Sequence, residues 1–309
     1  MSRLAATHSV RTHHGGRQDR DIPFGGNSMQ HGTAVFEGIR CYPTPDGPRV
    51  FRLDDHLARL RRSAELIGIP GVPSMAELRT QVLAAVPDSA EHPGCYLRPV
   101  LYAPDPVLGL DLRTLRFQLG VEVWPADTVA DHPGLALTVS PWRRPPGECL
   151  PVGAKVTGAY AMSAVARTHA AHAGFDDAVQ LDPHTGRVAE ATVANIFLVH
   201  GGRLSTPWLR DGPLPGITRD TVLTLAAELG IEAGESPVEV GDMRAADEIF
   251  LTGTFIELVP ARSLDGREFD PGGPVFRALF DRFRDTVSGA QSAHLDWLTA
   301  PDILTSSTR

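Results

Sequence analysis

Breakers decide first what this chain can become. Proline occurs 26 times and glycine 30 times in 309 residues, so few stretches run far before a residue that ends a helix or bends a strand. The chain therefore reads as many short elements, with no internal repeat. Helical and strand patterns interleave without strict strand–helix–strand alternation, which predicts an α+β fold in two domains rather than a doubly wound parallel sheet.

The clearest helix runs from Leu53, with Asp54 or Asp55 as the expected N-cap, a stripe of Leu57, Leu60, Ala64 and Ile67, and Gly68 and Pro70 as the stop. Strands are expected in CYLRPVLYA, LRFQLGVEVWP and LALTVSPW. In the first, the period of two puts Tyr96, Arg98, Val100 and Tyr102 on one face. A helix follows from about Ala159 to Ala173, then strands in RVAEAT and ANIFLV, a Gly201–Gly202 hairpin turn and RLSTP. PLPGITRD opens a helix through Leu229, DEIFLTGTFIELVPA is strand, and the last helix turns Phe276, Leu279, Phe280 and Phe283 inward. The turn-rich stretch from Ala126 to Gly134 reads as a linker. The expected organisation is a flexible arm over 1–25, a small domain over 26–125, the linker 126–134 and a larger domain over 135–309.

A formal net charge of -8 and a pI near 5.8 argue against a nucleic-acid or polybasic membrane partner, since neutralising phosphates needs clustered positive charge. No segment approaches the ~18 consecutive apolar residues of a membrane span. Cys41, Cys95 and Cys149 form no CxxC pair, so a reducing cytoplasm fits. His8, His13 and His14 lie among Arg, Gly and Gln without a carboxylate or thiol at ligand spacing, so no metal site is expected.

Within VGAKVTGAY lies the single lysine of the chain, Lys155; every other Lys or Arg position is arginine. Arginine replaces lysine for solubility and ion pairing, but a guanidinium cannot lose its proton and attack a carbonyl. A lone lysine among small apolar neighbours is thus a candidate Schiff-base former; a chance survivor on the surface is the competing explanation. Lysine of this kind usually serves pyridoxal phosphate, which also needs a phosphate cradle and an acid for its ring nitrogen. Gly216, Ile217 and Thr218 open a helix whose first N–H groups suit a phosphate, although an ordinary capped helix start has the same pattern. Thr252, Gly253 and Thr254 offer a second hydroxyl-and-glycine site. Glu190, between apolar residues on a strand, needs a cationic partner if buried: a protonated pyridine, or one of the many arginines.

The motifs HGTAVFEGIR, DDHLARL, YLRP, GAK with its tyrosine, VAE with N-I-F, LPGITRD and LTGT follow one another in an order that resembles the fold-type IV pyridoxal-phosphate enzymes, most of all the branched-chain amino acid aminotransferases. The likeness extends from about Gly32 to Gly266. It implies a small N-terminal α/β domain and a larger pseudo-barrel domain, with transamination between an L-amino acid and a 2-oxo acid such as 2-oxoglutarate. Carried over by position, it makes Lys155 the catalytic aldimine lysine, Glu190 the partner of the ring nitrogen and Tyr160 the partner of the ring oxygen. It assigns the phosphate to Arg59, Ile217, Thr218 and Thr254. It puts Phe36, Gly38, Tyr96, Arg98, Gly253, Thr254 and Phe255 around the substrate. The two-residue spacing of Tyr96 and Arg98 independently allows both to enter one cleft, as it allows a packed strand face; for Arg59 the role rests on the resemblance alone.

The resemblance also implies a homodimer or higher homo-oligomer. Departures fall on substrate: His31 stands where the family commonly has tyrosine, Ala191–Ala194 where it has GSGE, and Phe255 where it has a small residue, while APDPVLGLDL is unlike the usual loop. Two other readings stay open. One is a pyridoxal-phosphate lyase or specialised biosynthetic aminotransferase, because the A-N after Glu190 also occurs in aminodeoxychorismate-lyase-like relatives. The other is a non-catalytic binding protein on the same scaffold.

Overall fold

The computed structural model describes residues 11–13, 24–86, 94–126 and 132–301. They form two compact units, one from Met1–Thr128 with Asp285–Arg309 and one from Val129–Arg284.

The first unit carries strands β1 (Arg11–His13), β2 (Val35–Phe36), β3 (Ile39–Thr44), β4 (Gly47–Phe51), β5 (Cys95–Tyr102) and β6 (Gln118–Pro125). Its helices are α1 (Asn27–His31), α2 (Leu53–Ile67) and α3 (Met75–Ala84). Helix α2 has the expected stripe, with Leu57, Leu60 and Ala64 fully buried. Gly68 closes it at φ 80°, donating to the Ala64 and Glu65 carbonyls. The expected N-cap is corrected: Arg52, in the left-handed region at φ 49°, holds that position, and Asp54 and Asp55 fall in the first turn, where negative charge faces the positive end of the helix dipole. Strand β5 alternates as its sequence requires, with Leu97 and Leu101 buried and Tyr96 and Arg98 half-buried on the other face. Arg11–His13 pair with Val121–Val123 of β6 as a strand; the rest of the arm expected over 1–25, up to residue 23, lies outside the described residues, as does most of the linker.

The second unit is built on β7 (Leu135–Val139), β8 (Asp177–Leu181), β9 (Val188–Ala191), β10 (Asn195–His200), β11 (Arg203–Pro207), β12 (Ala233–Ser236), β13 (Glu248–Gly253), β14 (Glu257–Leu264) and β15 (Arg267–Glu268). Its helices are α4 (Tyr160–His172), α5 (Ile217–Glu228), α6 (Val240–Ala245) and α7 (Pro274–Val287). The strands make one sheet in the order β12-β11-β10-β13-β14-β7-β8-β9, with β15 on β14. Three of the pairings are parallel, β11 with β12, β14 with β7 and β7 with β8; the others are antiparallel. The α+β expectation holds. A final strand, β16 (Leu298–Thr299), pairs with β4 of the first sheet, whereas the sequence reading placed this tail in the larger domain; two residues of pairing leave too weak a pattern to locate from sequence.

Alternation along β10 and β13 separates two cores. Ile196, Leu198, Ile249 and Leu251 join Leu137, Val179, Val188 and Val259 on one side of the sheet. Phe197 and Phe250 stack at 5.2 Å on the other, and Phe250 meets Phe276 of α7 at 5.6 Å. Buried Glu248 fixes that helix by accepting from the free N–H groups of Val275 (3.0 Å) and Phe276 (2.7 Å). Glu248→Ala strands both donors in an apolar setting. At ~2 kcal/mol lost and ~2–4 °C per kcal/mol, we expect the thermal midpoint to fall by several degrees, measured by circular dichroism.

Candidate active site

Lys155 lies between buried Ala154 and Val156 and is itself half-buried. A single 3-10 turn, Thr157–Ala159, leads from it into α4, whose first residue is Tyr160. The turn brings the lysine back over the tyrosine: Nζ donates to the Tyr160 phenol oxygen at 2.6 Å. Helix α4 is in turn tied to the sheet by Arg167, which donates to Asp177 of β8 at 3.2 Å. Burial pushes the Asp177 carboxyl up, against the Arg167 charge and the hydrogen bond from Thr192.

Glu190 is the third residue of β9 and only 6% exposed. Its Oε1 is paired with Arg144 at 2.9 Å. Its Oε2 accepts from Asn195 Nδ2 and from the Leu214 backbone N–H, both at 3.1 Å. The arginine expected as one alternative is therefore present, and its Nε is buried without a hydrogen-bond partner. Asn195 also donates to the Leu214 carbonyl at 2.9 Å. Leu214 leads through Pro215 to Gly216, the N-cap of α5, which makes no side-chain cap. Ile217 and Thr218, both buried, thus begin a helix whose first N–H groups are not claimed by a capping side chain.

Asn195 also stands opposite Thr252 in the pairing of β10 with β13. Thr252 Oγ1 is buried without a hydrogen-bond partner. Beyond it, Thr254, Phe255 and Ile256 make a tight turn into β14, closed by Glu257 in the left-handed region at φ 56°. Phe255 and Val193 are 46% and 48% exposed, and the Cβ missing from Gly253 would lie 3.5 Å from the Val193 carbonyl. Glu190, Asn195, Gly216–Thr218 and Thr252–Thr254 are thus linked through neighbouring strands and the start of one helix.

The first unit gathers its own group. The Arg98 guanidinium lies 4.2 Å from the Phe36 ring centroid, and a Cβ on Gly38 would stand 1.8 Å from the Tyr96 hydroxyl oxygen. Glycine at 38 is therefore what allows the phenol to lie over the backbone. Arg59 forms a bidentate pair with fully buried Glu37, Nε to Oε1 at 2.6 Å and an Nη to Oε2 at 2.7 Å, and His56 Nδ1 lies 2.8 Å from Oε2. Asn27 donates to the carbonyls of Val107 (2.6 Å) and Gly109 (2.8 Å), pinning the unusual loop while Leu108 and Leu110 stay exposed.

Residues 34–264 match the family described as Amino-transferase class IV. The chain belongs to the class IV aminotransferases. This class IV aminotransferase is 35% identical over 279 residues to the branched-chain-amino-acid aminotransferase of Pseudomonas aeruginosa, covering 88% of its own length and 90% of the relative. Among solved structures it is similar to the branched-chain aminotransferase of Thermoproteus uzoniensis with norvaline (TM-score 0.89, 35% identity, 94% and 99% of the two chains). It is also similar to the branched-chain amino acid aminotransferase from Escherichia coli (TM-score 0.84, 30% identity, 95% and 98%). The expected fold type is that of these relatives.

Sequence reasoning missed the residues that hold the named ones. Glu37 lies inside the HGTAVFEGIR motif without a chemistry of its own to mark it, Arg144 is one arginine among many, and Asn195 carries only a likeness to relatives. A charge set among apolar residues, as at Glu37 in the link between β2 and β3, is the available signal. Burial would raise the Glu37 carboxyl, but the Arg59 charge and the hydrogen bonds from Arg59 and His56 outweigh it and hold the group far below the ordinary 4.5. A depressed folded-state value means that the stabilisation is complete above the unfolded value and fades as pH falls below about 4.5 towards the depressed one. We expect Glu37→Gln to cost on the order of 3 kcal/mol at pH 7 and the gap from the parent protein to narrow below pH 4.5, read from urea melts across pH.

Proposed function

We propose that this aminotransferase holds pyridoxal 5'-phosphate covalently on Lys155 and moves an amino group between an L-amino acid with an aliphatic, branched-chain-like side chain and a 2-oxo acid such as 2-oxoglutarate. The observation that carries the reading is the hydrogen bond of the sole lysine to Tyr160 at 2.6 Å, in a family whose chemistry needs one amine. When bound, the cofactor supplies an electron-withdrawing ring that weakens the substrate Cα–H bond.

The residues fit that group. Lys155 Nζ is the only side-chain amine able to attach it and to carry the Cα proton. Tyr160 orients Nζ and supplies a phenol for the ring oxygen. Glu190, held by Arg144, Asn195 and Leu214, is suited to a protonated ring nitrogen. The start of α5 at Ile217 and Thr218, with Thr254 and Arg59, is the proposed phosphate set; Glu37 keeps the Arg59 guanidinium in one orientation. Orphaned Arg144 Nε and Thr252 Oγ1 mark this part of the second unit as polar beyond what its own contacts use.

Phe36, Gly38, Tyr96, Arg98, Gly253, Thr254 and Phe255 are proposed to surround the substrate. Half-exposed Phe255, at the turn where relatives have a small residue, supports a specialised aminotransferase as the second reading. Exposed Val107, Leu108 and Leu110 form an apolar loop suited to a second copy of the chain, and we propose a homodimer. Three free cysteines suit a reducing cytoplasm.

Borohydride reduction and peptide mapping should find a pyridoxyl adduct on Lys155; an unmodified peptide would overturn the reading. Lys155→Ala and Lys155→Arg should each lower turnover by at least about a thousandfold, with folding unchanged by circular dichroism. A donor screen with 2-oxoglutarate should show glutamate formation, and pyruvate released without an acceptor would instead indicate a lyase. Phe255→Ala should change KM for bulky donors by several-fold with little change for small ones.

A further inference from the structure

We infer that Asn195 is a positioning residue that joins Glu190 to the turn before α5, so that the acid for the ring nitrogen and the backbone donors for the phosphate keep a constant spacing. The inference rests on the cofactor reading above and concerns a residue that touches neither end of that group in its own assigned role.

Asn195 is 6% exposed and its amide has one productive orientation. Nδ2 faces two acceptors, Glu190 Oε2 at 3.1 Å and the Leu214 carbonyl at 2.9 Å, and uses one hydrogen on each. The Leu214 N–H returns to the same Glu190 oxygen at 3.1 Å, closing a ring of three hydrogen bonds between β9, β10 and the loop. The amide oxygen points the other way, at Gly216: a Cβ there would lie 1.9 Å from Oδ1. Glycine at 216 therefore serves the approach of this side chain as well as the helix start.

The carboxylate of Glu190 is thus gripped at two points. Arg144 holds Oε1, and the Asn195–Leu214 pair holds Oε2. Without Asn195, Glu190 Oε2 keeps the Leu214 N–H but loses the amide that ties that loop to β10, and the Leu214 carbonyl loses a donor, so carboxylate and loop can shift together. An aspartate at 195 would offer no donor and would set a second negative charge against Glu190.

The test uses the holoenzyme and the variants Asn195→Ala, Asn195→Asp, Gly216→Ala and the Asn195→Ala/Gly216→Ala double. Three quantities are read: the dissociation constant for pyridoxal 5'-phosphate, the pH dependence of the bound cofactor's absorbance, and the thermal midpoint. We expect Asn195→Ala to weaken cofactor binding about tenfold and to displace the pH midpoint of the absorbance change, with Asn195→Asp weaker still. Gly216→Ala should be as damaging as Asn195→Ala, and the double variant no worse than Gly216→Ala, because the oxygen in the way is gone.

Wild-type affinity and an unmoved absorbance profile in Asn195→Ala would overturn the inference, as would strictly additive losses in the double variant. A fall in thermal midpoint without either cofactor effect would show a purely structural amide and overturn it too. Should Asn195→Ala not fold, Asn195→Ser, which keeps one donor, is read by the same criteria. Absence of a borohydride-fixed adduct in the wild type would instead overturn the cofactor reading, and this inference with it.

Discussion

A carboxylate taken out of water must be met by donors, and at Glu190 that requirement organises much of the second unit. The donors come from Arg144 ahead of the lysine segment, from Asn195 at the start of the next strand, and from Leu214 in the loop before α5. These residues are distant in sequence and have no apolar reason to meet. Their convergence fixes the path of the loop, and the loop fixes where α5 begins. Hydrophobic burial of Ile196, Leu198, Ile249 and Leu251 makes the sheet, but a greasy contact is tolerant of sliding, whereas three hydrogen bonds on one carboxylate are not.

The same rule operates elsewhere with different results. Glu37 is fully buried and meets Arg59 and His56 of α2, so the acid binds a helix to the link between β2 and β3 in the first unit. Glu248 meets two backbone N–H groups and starts α7. Asp177 takes a hydroxyl from Thr192 and a guanidinium from Arg167, binding α4 to β8. In this chain buried acids act as the joints between elements, and arginine answers at three of the four sites. Its planar fork can give two parallel hydrogen bonds, as Arg59 does, which a lysine could not supply.

What was legible in the sequence followed the kind of force involved. Periodic burial is a local pattern, so α2, β5, α5 and the aromatic face of α7 could be read from spacing. The family also emerged from ordered motifs, because each one packs residue types of a definite chemistry into a few positions. Boundaries set by non-local contacts were not legible: Arg52 as the cap of α2, the pairing of Arg11–His13 with β6, and the return of the tail to β4. Of the proposed site, Lys155 and Glu190 have chemistry distinctive enough to propose from the residues themselves, and Tyr160 enters by resemblance. The ones that hold them could not be named, since an arginine or asparagine has many possible partners and only the fold selects one.

The lysine's solitude also makes this chain its own reporter. Lysine labelled with nitrogen-15 at the side chain would put a single amine signal into the nuclear magnetic resonance spectrum, and that signal belongs to the group bonded to Tyr160 at 2.6 Å. In most proteins of this size such a resonance is one of many and must be assigned by mutation. Here assignment is complete before the experiment begins, so the protonation and bonding of one nitrogen can be followed in an otherwise unmodified protein.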